Sequence, residues 1–425
     1  MFERVRRAIM LAAALAVPPL VSAADPAPTE RVSFDEAVQR ATLRHPTIGE
    51  AAQAILRAQG LLDQARAVFR PLVTGVASET ILDAARGFAG NITQPRTQAA
   101  LNGTASYPLL ALSRWAQAKQ AADQVAIARI SAEDVRRDVA VNAAEAYLAV
   151  IAAERQRDIA VRNRDTAKAL SDYAHTRLEA GQGSRLNDVR ATQELATSEG
   201  LVQVAELAVR RGQEALGVAI FADGPVEASG DPDIPRATPP SDTDLWLSRR
   251  PDVRLFTAEV QAADRVVRDT WKSWLPTVGA AFTPQYVTPK GFFEPAGTWR
   301  AFFQLQVPIY DGTLGATRRI RIADRETAQL RLQAVTVQAR SELRTAQEAV
   351  TRSEQIVATS REAAASAAEA LRITEIAYRA GATTNIEVVQ AQQTARNAEI
   401  AQALAEDGLR QARLDLLVAL GQFPQ

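Results

Sequence analysis

The only imidazoles in this chain are His45 and His175, and cysteine is absent. His175 follows Asp172 by three residues within a long polar helical stretch, so the two side chains share one helix face. A histidine and a carboxylate placed in this way could bind a metal ion or transfer a proton. We interpret His175 instead as part of a solvated helix face. His45 is interpreted as a turn residue because it precedes a proline, as Arg250 does at the matching place in the second half.

Other motifs that carry chemistry are missing. The sequence has no HExxH, no P-loop and no GxSxG, and Gly181-x-Gly183 follows a helix rather than a strand. Without cysteine there can be no disulfide, thiolate metal site, thiol nucleophile or lipid on an N-terminal cysteine. Lys and Arg together equal Asp and Glu in number, 49 each, which argues against nucleic acid as a partner. We therefore expect no catalytic residue, no metal and no cofactor.

The first 23 residues resemble an export signal. Three arginines precede an apolar run over 8–21, and small residues follow at 22–24. This order is typical of a secretory signal peptide, predicted here over 1–23. The alternative, a single anchoring helix, is disfavoured because the run is short and is broken by Pro18 and Pro19. No later stretch approaches the roughly 18 apolar residues of a membrane helix, so any entry into a membrane would have to be made by strands.

The elements that must position any functional residue occur twice. Four motifs recur about 200 residues apart: His45-Pro46 with Arg250-Pro251, Arg70-Pro71 with Leu275-Pro276, Tyr107-Pro108-Leu109 with Val307-Pro308-Ile309, and Leu178-Glu179-Ala180-Gly181 with Tyr378-Arg379-Ala380-Gly381. The first two prolines are 25 residues apart in both copies (46 to 71, 251 to 276), and the third proline and the glycine are 73 apart (108 to 181, 308 to 381). We predict two structural repeats, 24–220 and 242–425, joined by a proline-rich linker over 221–241.

Each repeat is mainly helical. Helical periodicity covers 33–69, 109–179 and 184–219 in the first copy and 242–274, 309–379 and 384–421 in the second. The long middle helix would extend about 105 Å, and the short ones about half of that. Two short helices stacked end to end would therefore match one long helix, with the linker at mid-height. Ser33 to Glu36 and Thr384 to Glu387 are expected to form capping boxes.

Between the prolines the period changes from 3.6 to 2. Alternation predicts strands over about 71–81 and 97–107 in the first copy and about 276–288 and 298–308 in the second. Each strand has one apolar and one small or polar face, as a membrane barrel with a wet lumen requires. Ten of the 23 aromatic residues lie between 271 and 310, where an interfacial girdle would explain them. The alternative is a pair of soluble hairpins that cover a core.

These features together resemble the TolC-like outer-membrane efflux proteins over essentially the whole mature chain. The resemblance depends on the duplication, on Phe34-Asp35-Glu36-Ala37-Val38 before His45, on 249–254 (RRPDVR), on the prolines that flank both hairpins, and on the alanine-glycine turn after each long helix. It implies a homotrimer with one twelve-stranded barrel in outer-membrane lipid and one helical tunnel in the periplasm. It also implies a periplasmic adaptor and an inner-membrane pump as partners.

The resemblance assigns roles only at the turns that follow the long helices. The matching positions for a periplasmic gate are Asn187 and Asp188 in the first copy and Glu387 and Gln390 in the second. Amides at Asn187 and Gln390, where the family often has acids, imply a weak cation-binding ring. The alternative role of Glu387 is that of a helix cap.

The exposed turns would contact the adaptor, and their small residues would permit close backbone approach. These residues are Gly181, Gln182, Gly183, Ser184, Arg185, Gly381, Ala382, Thr383 and Thr384. Alternatively, Gly181 and Gly381 act only as helix stops. The predicted function is the passive exit duct of a tripartite efflux or type I secretion complex. The alternative is a periplasmic coiled-coil adaptor, which two complete copies with strand pairs disfavour.

Overall fold

The computed structural model describes residues 30–237, 245–289 and 295–424. The predicted signal peptide at 1–23 lies outside the described residues, as do the last residues of the predicted linker. In the part of the chain that is described, no helix combines the length and the apolar character needed to cross a bilayer.

Helices account for most of the described structure. Their bounds are α1 Phe34–Arg44, α2 Pro46–Ala67, α3 Leu112–Glu179, α4 Arg185–Ala219, α5 Pro251–Asp269, α6 Gly312–Arg379 and α7 Asn385–Ala419. Both α3 and α6 have 68 residues, which gives each a length of about 100 Å. The fixed spacing of the repeat motifs therefore corresponds to two long helices of equal length.

Short helices stack along each long one. Helix α3 packs against α4 and against α1 and α2, whereas α6 packs against α7 and α5. The stretch of helical periodicity over 33–69 forms two helices that are separated at His45, whose ψ is 132°, which agrees with its interpretation as a turn residue. The cause is Pro46, because proline disfavours helical geometry in the residue before it. In the second copy a helix is expected over 242–274, of which the structure describes 245–274; within that part Pro251–Asp269 is α-helical, and Leu247–Arg249 and Thr270–Trp274 form 3₁₀ turns.

Eight strands form three sheets within the described residues. They are β1 Glu30–Val32, β2 Leu72–Ile81, β3 Arg86–Phe88, β4 Asn91–Gln94, β5 Thr97–Leu110, β6 Val226–Ala228, β7 Thr277–Thr288 and β8 Gly297–Gln306. The main sheet has the order β2-β5-β7-β8 and is antiparallel throughout. The two repeats therefore meet at the β5–β7 pair, and β2 and β8 are the edges.

Two smaller sheets complete the fold. The β3–β4 hairpin extends the first strand pair beyond the main sheet, and it belongs to the copy with the longer interval between prolines. Strands β1 and β6 pair in parallel and join the start of the described chain to the segment after α4.

The segment between the repeats packs near the middle of the long helices. Ile234 and Ala237 are buried in one cluster with Leu148 of α3 and Ala346 of α6. The Tyr147 hydroxyl donates a hydrogen bond to the Gly230 carbonyl at 2.7 Å. Since the two long helices have their midpoints close to these residues, this part of the linker lies at mid-height.

Ion pairs also hold the segment between the repeats against the helices at mid-height. Asp231 accepts from Arg155 at 2.8 Å and from Arg410 at 3.0 Å, and Arg410 also contacts Asp407 at 2.9 Å. This group joins the linker to α3 and α7. Burial raises the pKa of the Asp407 carboxyl, an effect that the two arginines oppose.

Candidate functional site

Both long helices end in the same hydrogen-bonded turn. After α3, the Gln182 N–H donates to the Arg177 carbonyl at 2.9 Å and the Gly181 N–H donates to the Leu178 carbonyl at 3.0 Å. After α6, the Ala382 and Gly381 N–H groups make the equivalent bonds at 2.8 and 3.0 Å. The φ angles of Gly181 and Gly381 are +71° and +77°, the left-handed conformation that this motif requires. Both glycines therefore act as helix stops.

Gly183 has a different role in the first of these turns. A Cβ atom at this position would lie 2.7 Å from the Leu178 backbone nitrogen, closer than real contacts allow. The glycine thus permits close backbone approach within its own turn. Most of the predicted adaptor-contacting residues are exposed, with Gly183 and Thr383 partly buried.

The helices that leave the two turns begin differently. The Ser184 hydroxyl accepts a hydrogen bond from the Leu186 N–H at 3.2 Å and caps α4. The Thr384 side chain makes no capping hydrogen bond at the start of α7. The capping box expected over Thr384 to Glu387 is therefore not formed. At the start of α1 the Glu36 N–H donates to the Ser33 hydroxyl at 3.3 Å, which is one of the two hydrogen bonds of the box expected there.

The four residues predicted to form a gate fall into two groups. In α4, the Asp188 carboxylate lies 3.3 Å from Nδ1 of His175, whose Nε2 lies 3.4 Å from Glu179. The Asn187 carbonyl accepts a hydrogen bond from the Asn385 side chain at 3.2 Å. These contacts join α4 to α3 and to α7, so Asp188 is directed toward its own chain.

Glu387 and Gln390 form the second group. Both are exposed on α7. Within the described residues, the Glu387 carboxylate forms neither an ion pair nor a hydrogen bond. The partner contacts of Asn187 and Asp188 and the free carboxylate of Glu387 show that the two copies present different chemistry at equivalent positions.

A small apolar cluster holds the two turns together. Tyr173 and Tyr378 meet edge to face with ring centroids 5.7 Å apart. Around them are buried Ala191 of α4 and Val388 of α7. Sequence reasoning missed Asn385, which is 1% exposed, and it missed the contact of His175 with Asp188. Its only sequence signal was its position at the first residue of the predicted helix, three residues before Val388.

The main sheet presents one apolar and one largely polar face. Directly opposed residues in adjacent strands point to the same side, so the register assigns every position. The first face carries Val73, Ala77, Ile81, Ala99, Leu101, Tyr107, Val278, Ala280, Phe282, Tyr286, Trp299, Phe303 and Leu305. The second carries Thr74, Ser78, Thr80, Gln98, Asn102, Thr104, Ser106, Thr277, Thr283, Gln285, Thr298, Gln304 and Gln306. Such a sheet suits lipid on one side and water on the other.

Comparison with known protein families gives a match over most of the chain. A family model described as "Outer membrane efflux protein" matches residues 37–220 and 243–422. A comparison with curated individual proteins gives no significant match.

Solved structures share the fold. The CmeC outer membrane channel of Campylobacter jejuni is 16% identical with a TM-score of 0.79, over 92% of this chain and 87% of that one. The outer membrane protein VceC of Vibrio cholerae is 18% identical with a TM-score of 0.77, over 91% of this chain and 96% of that one. The open-state MtrE outer membrane channel of Neisseria gonorrhoeae is 18% identical with a TM-score of 0.75, over 91% of this chain and 88% of that one. At these identities the likeness concerns the fold alone.

Proposed function

This chain belongs to the outer membrane efflux protein family, whose members are passive channels and not enzymes, and on that premise we propose that three copies form one export duct. The duct would be the exit channel of a tripartite efflux or type I secretion complex. An inner-membrane pump would supply the energy, and a periplasmic adaptor would couple it to the duct. Export by the predicted signal peptide over 1–23 and the division into repeats at 24–220 and 242–425 are parts of this proposal.

The open sheet is the observation that carries the proposal. Strands β2 and β8 have no partner on their outer edges within the described residues. Unpaired strand edges are not tolerated in hydrocarbon, and four strands cannot close a barrel. Three copies would give twelve strands, with each β8 edge pairing with β2 of the next copy. Two copies would give eight strands, whose interior is filled by side chains rather than water.

The helices support a tunnel below that barrel. Helices α3 and α6, each about 100 Å long, are accompanied by stacked short helices along their length. The turns that follow them lie at the end remote from the strands. We propose that this end is the periplasmic entrance, with the exposed residues of 181–185 and 381–384 meeting the adaptor. At that entrance Glu387 and Gln390 would line the gate, and Asn187 and Asp188 would connect it to neighbouring helices.

A cysteine-free chain allows a direct test of the trimer. Ser78→Cys in β2 would be combined in turn with Thr298→Cys, Phe302→Cys or Gln304→Cys in β8. Within one chain, three strand spacings of about 4.8 Å separate β2 from β8, well beyond the roughly 7 Å limit for a disulfide. Any disulfide must therefore join two copies. We expect at least one pair to give dimers and trimers on non-reducing gels of outer-membrane fractions.

A control pair checks that the sheet itself is formed. Asn102 and Gln285 lie directly opposite in β5 and β7, so cysteines at these positions should join within one chain. If this control pair oxidises but no β2–β8 pair links two copies, the trimeric barrel is wrong. A soluble periplasmic monomer would contradict it as well and would favour the adaptor alternative.

A further inference from the structure

The four strands of the main sheet, all of which the structure describes, contain only two charged residues, Glu79 and Arg300. Their registers place them on opposite faces. Glu79 pairs with Ala99 on the apolar face, whereas Arg300 pairs with Thr283 on the polar face. The polar face therefore has a single charge per chain, and that charge is positive.

Arg300 lies inside the length of β8, the strand at one edge of the sheet. It is the fourth residue of β8, which begins at Gly297. Its guanidinium carbon lies 5.3 Å from the centre of the Phe302 ring, two residues along on the same face. In the described part of the chain no carboxylate forms an ion pair with it. The guanidinium is thus held on an aromatic ring and remains uncompensated by an acid.

A second cation lies on the same side. A concavity of about 250 Å³ is lined by Phe302, Gln304 and Gln306 of β8 and by Ser106 of β5. Arg114, in the first turn of α3, closes its lower side. A solute that moves from the helices along the polar face therefore passes Arg114 and then Phe302 before it reaches Arg300.

We propose that Arg300, repeated by the threefold symmetry of the duct, forms a positive collar in the barrel lumen that selects organic anions as cargo. The inference depends on the proposed function, because only the closed barrel makes the polar face a lumen. Arginine remains charged at any physiological pH, and rings of arginine are a general device of anion-conducting pores. Neutral amide and hydroxyl side chains around the collar leave its potential uncancelled. Carboxylates, phosphates and sulfonates are the groups it would attract.

Ion selectivity of the reconstituted channel tests the collar. Purified wild type, Arg300→Gln and Arg300→Lys would be compared in planar bilayers under a potassium chloride gradient, with the zero-current potential as the readout. Each of the three proteins would also be measured in combination with Glu387→Gln, so that the carboxylates at the entrance do not obscure the ion selectivity that Arg300 contributes in the lumen. We expect Arg300→Gln to lower the ratio of chloride to potassium permeability by roughly threefold or more, which corresponds to a collar potential of about half a kT, because the potential favours chloride and disfavours potassium at the same time. Arg300→Lys should retain the wild-type ratio.

Glu79→Gln is the matched control, since it removes a charge from the other face of the same sheet. Its permeability ratio should equal that of the wild type. An unchanged ratio for Arg300→Gln, or an equal change for Glu79→Gln, would overturn the proposal. Failure of the proposed function is distinguishable, because in that case the wild type would form no channel at all. Trimer yield on gels confirms that each variant is assembled before its selectivity is measured.

Discussion

At the residue scale, Glu387 carries the clearest expectation. Its carboxylate is exposed at the start of α7 and is not engaged in a capping box. In the proposed trimer three such carboxylates would surround the entrance and attract cations. We therefore expect Glu387→Gln to weaken block of the channel by multivalent cations, and thereby to raise its conductance in their presence, measured in planar bilayers.

Asp188→Asn provides the comparison for that experiment. Asp188 faces His175 at 3.3 Å and its side chain is 19% exposed, so its removal should change block much less than removal of Glu387. An unaltered current in Glu387→Gln would exclude a gate role for this residue. A larger effect of Asp188→Asn than of Glu387→Gln would show that the turns are arranged differently in the trimer.

Gly183 gives a second prediction at this scale. Any side chain would place Cβ 2.7 Å from the Leu178 backbone nitrogen, so Gly183→Ala must displace the turn between α3 and α4. We expect reduced efflux with a normal yield of trimer, because this turn is remote from the strands and from the mid-height core. Drug or solute export in cells and trimer content on gels would be measured together.

Alanine substitutions at two other glycines serve as controls for Gly183→Ala. Gly181→Ala has open space around its Cβ but a φ of +71°, which costs about 1–2 kcal/mol for an L-residue. Gly200→Ala in α4 has open space and no such conformation, so it should stabilise the helix by about 1 kcal/mol. If Gly183→Ala reduced trimer content, the turn would have a role in folding rather than in contact with a partner.

At the element scale, Arg250 joins three helices. It precedes α5 and is 6% exposed. Its guanidinium donates to Asp252 at 2.7 Å, to Glu342 of α6 at 2.8 Å and to the Ala419 carbonyl of α7 at 3.2 Å. Such an arrangement explains why a residue other than histidine occupies the position equivalent to His45, whose own ring accepts from the Thr47 N–H.

Removal of this arginine should be costly. Arg250→Leu removes the closest cation from the Asp252 carboxylate, which keeps the Val253 N–H at 2.8 Å and Arg137 at 3.9 Å. Loss of one member of a buried pair costs about 3–5 kcal/mol, and we expect these remaining contacts to hold the cost at the lower end of that range. We expect a clear fall in the thermal unfolding temperature followed by circular dichroism. The double variant Arg250→Leu with Asp252→Leu should recover part of that loss, since it also removes the carboxylate that has lost its closest cation. No recovery would mean that the Glu342 and Ala419 contacts carry the stabilisation.

The same pair predicts how stability depends on pH. Burial alone would raise the pKa of the Asp252 carboxyl, but the hydrogen bond and charge of Arg250 outweigh it and hold this pKa below its usual range. A depressed pKa in the folded state adds stability above the unfolded value of about 4, and that stability is lost as pH falls through the folded pKa. The unfolding temperature of the wild type should fall on acidification below about pH 4. Arg250→Leu should show a smaller fall over that interval.

At the scale of the whole molecule, the two copies share an architecture but not their surface chemistry. Each provides a long helix, stacked short helices and a strand pair, and the strand pairs meet at β5 and β7. At the turn of the second copy the exposed Glu387 carboxylate forms no ion pair within the described residues, whereas at the turn of the first copy the exposed Glu179 contacts His175. The one charge on the polar face of the main sheet, Arg300, lies in the strands of the second copy. In the proposed duct the second repeat would thus contribute both the unpaired Glu387 at the entrance and Arg300 near the exit.

The amino-acid sequence by itself determined the elements of this protein. The change of period from 3.6 to 2 located the four strands of the main sheet, but not the short strands β1, β3, β4 and β6. Proline and glycine marked the ends of the helices, because these signals arise from local backbone geometry. Equal motif spacing likewise required two long helices of equal length. The turn at His45 was likewise predicted from Pro46, since proline restricts the residue before it.

Only the tertiary structure decided how those elements meet. Contacts such as Asn385 with Asn187 and His175 with Asp188 join residues of different helices, and their partners depend on packing rather than on local pattern. The strand order joining β5 to β7, and with it the opposite faces of Arg300 and Glu79, was decided in the same way. Periodicity determines which residues of a single strand lie on the same side of it. Only the pairing of strands from both repeats determines which residues of different strands share one face of the sheet.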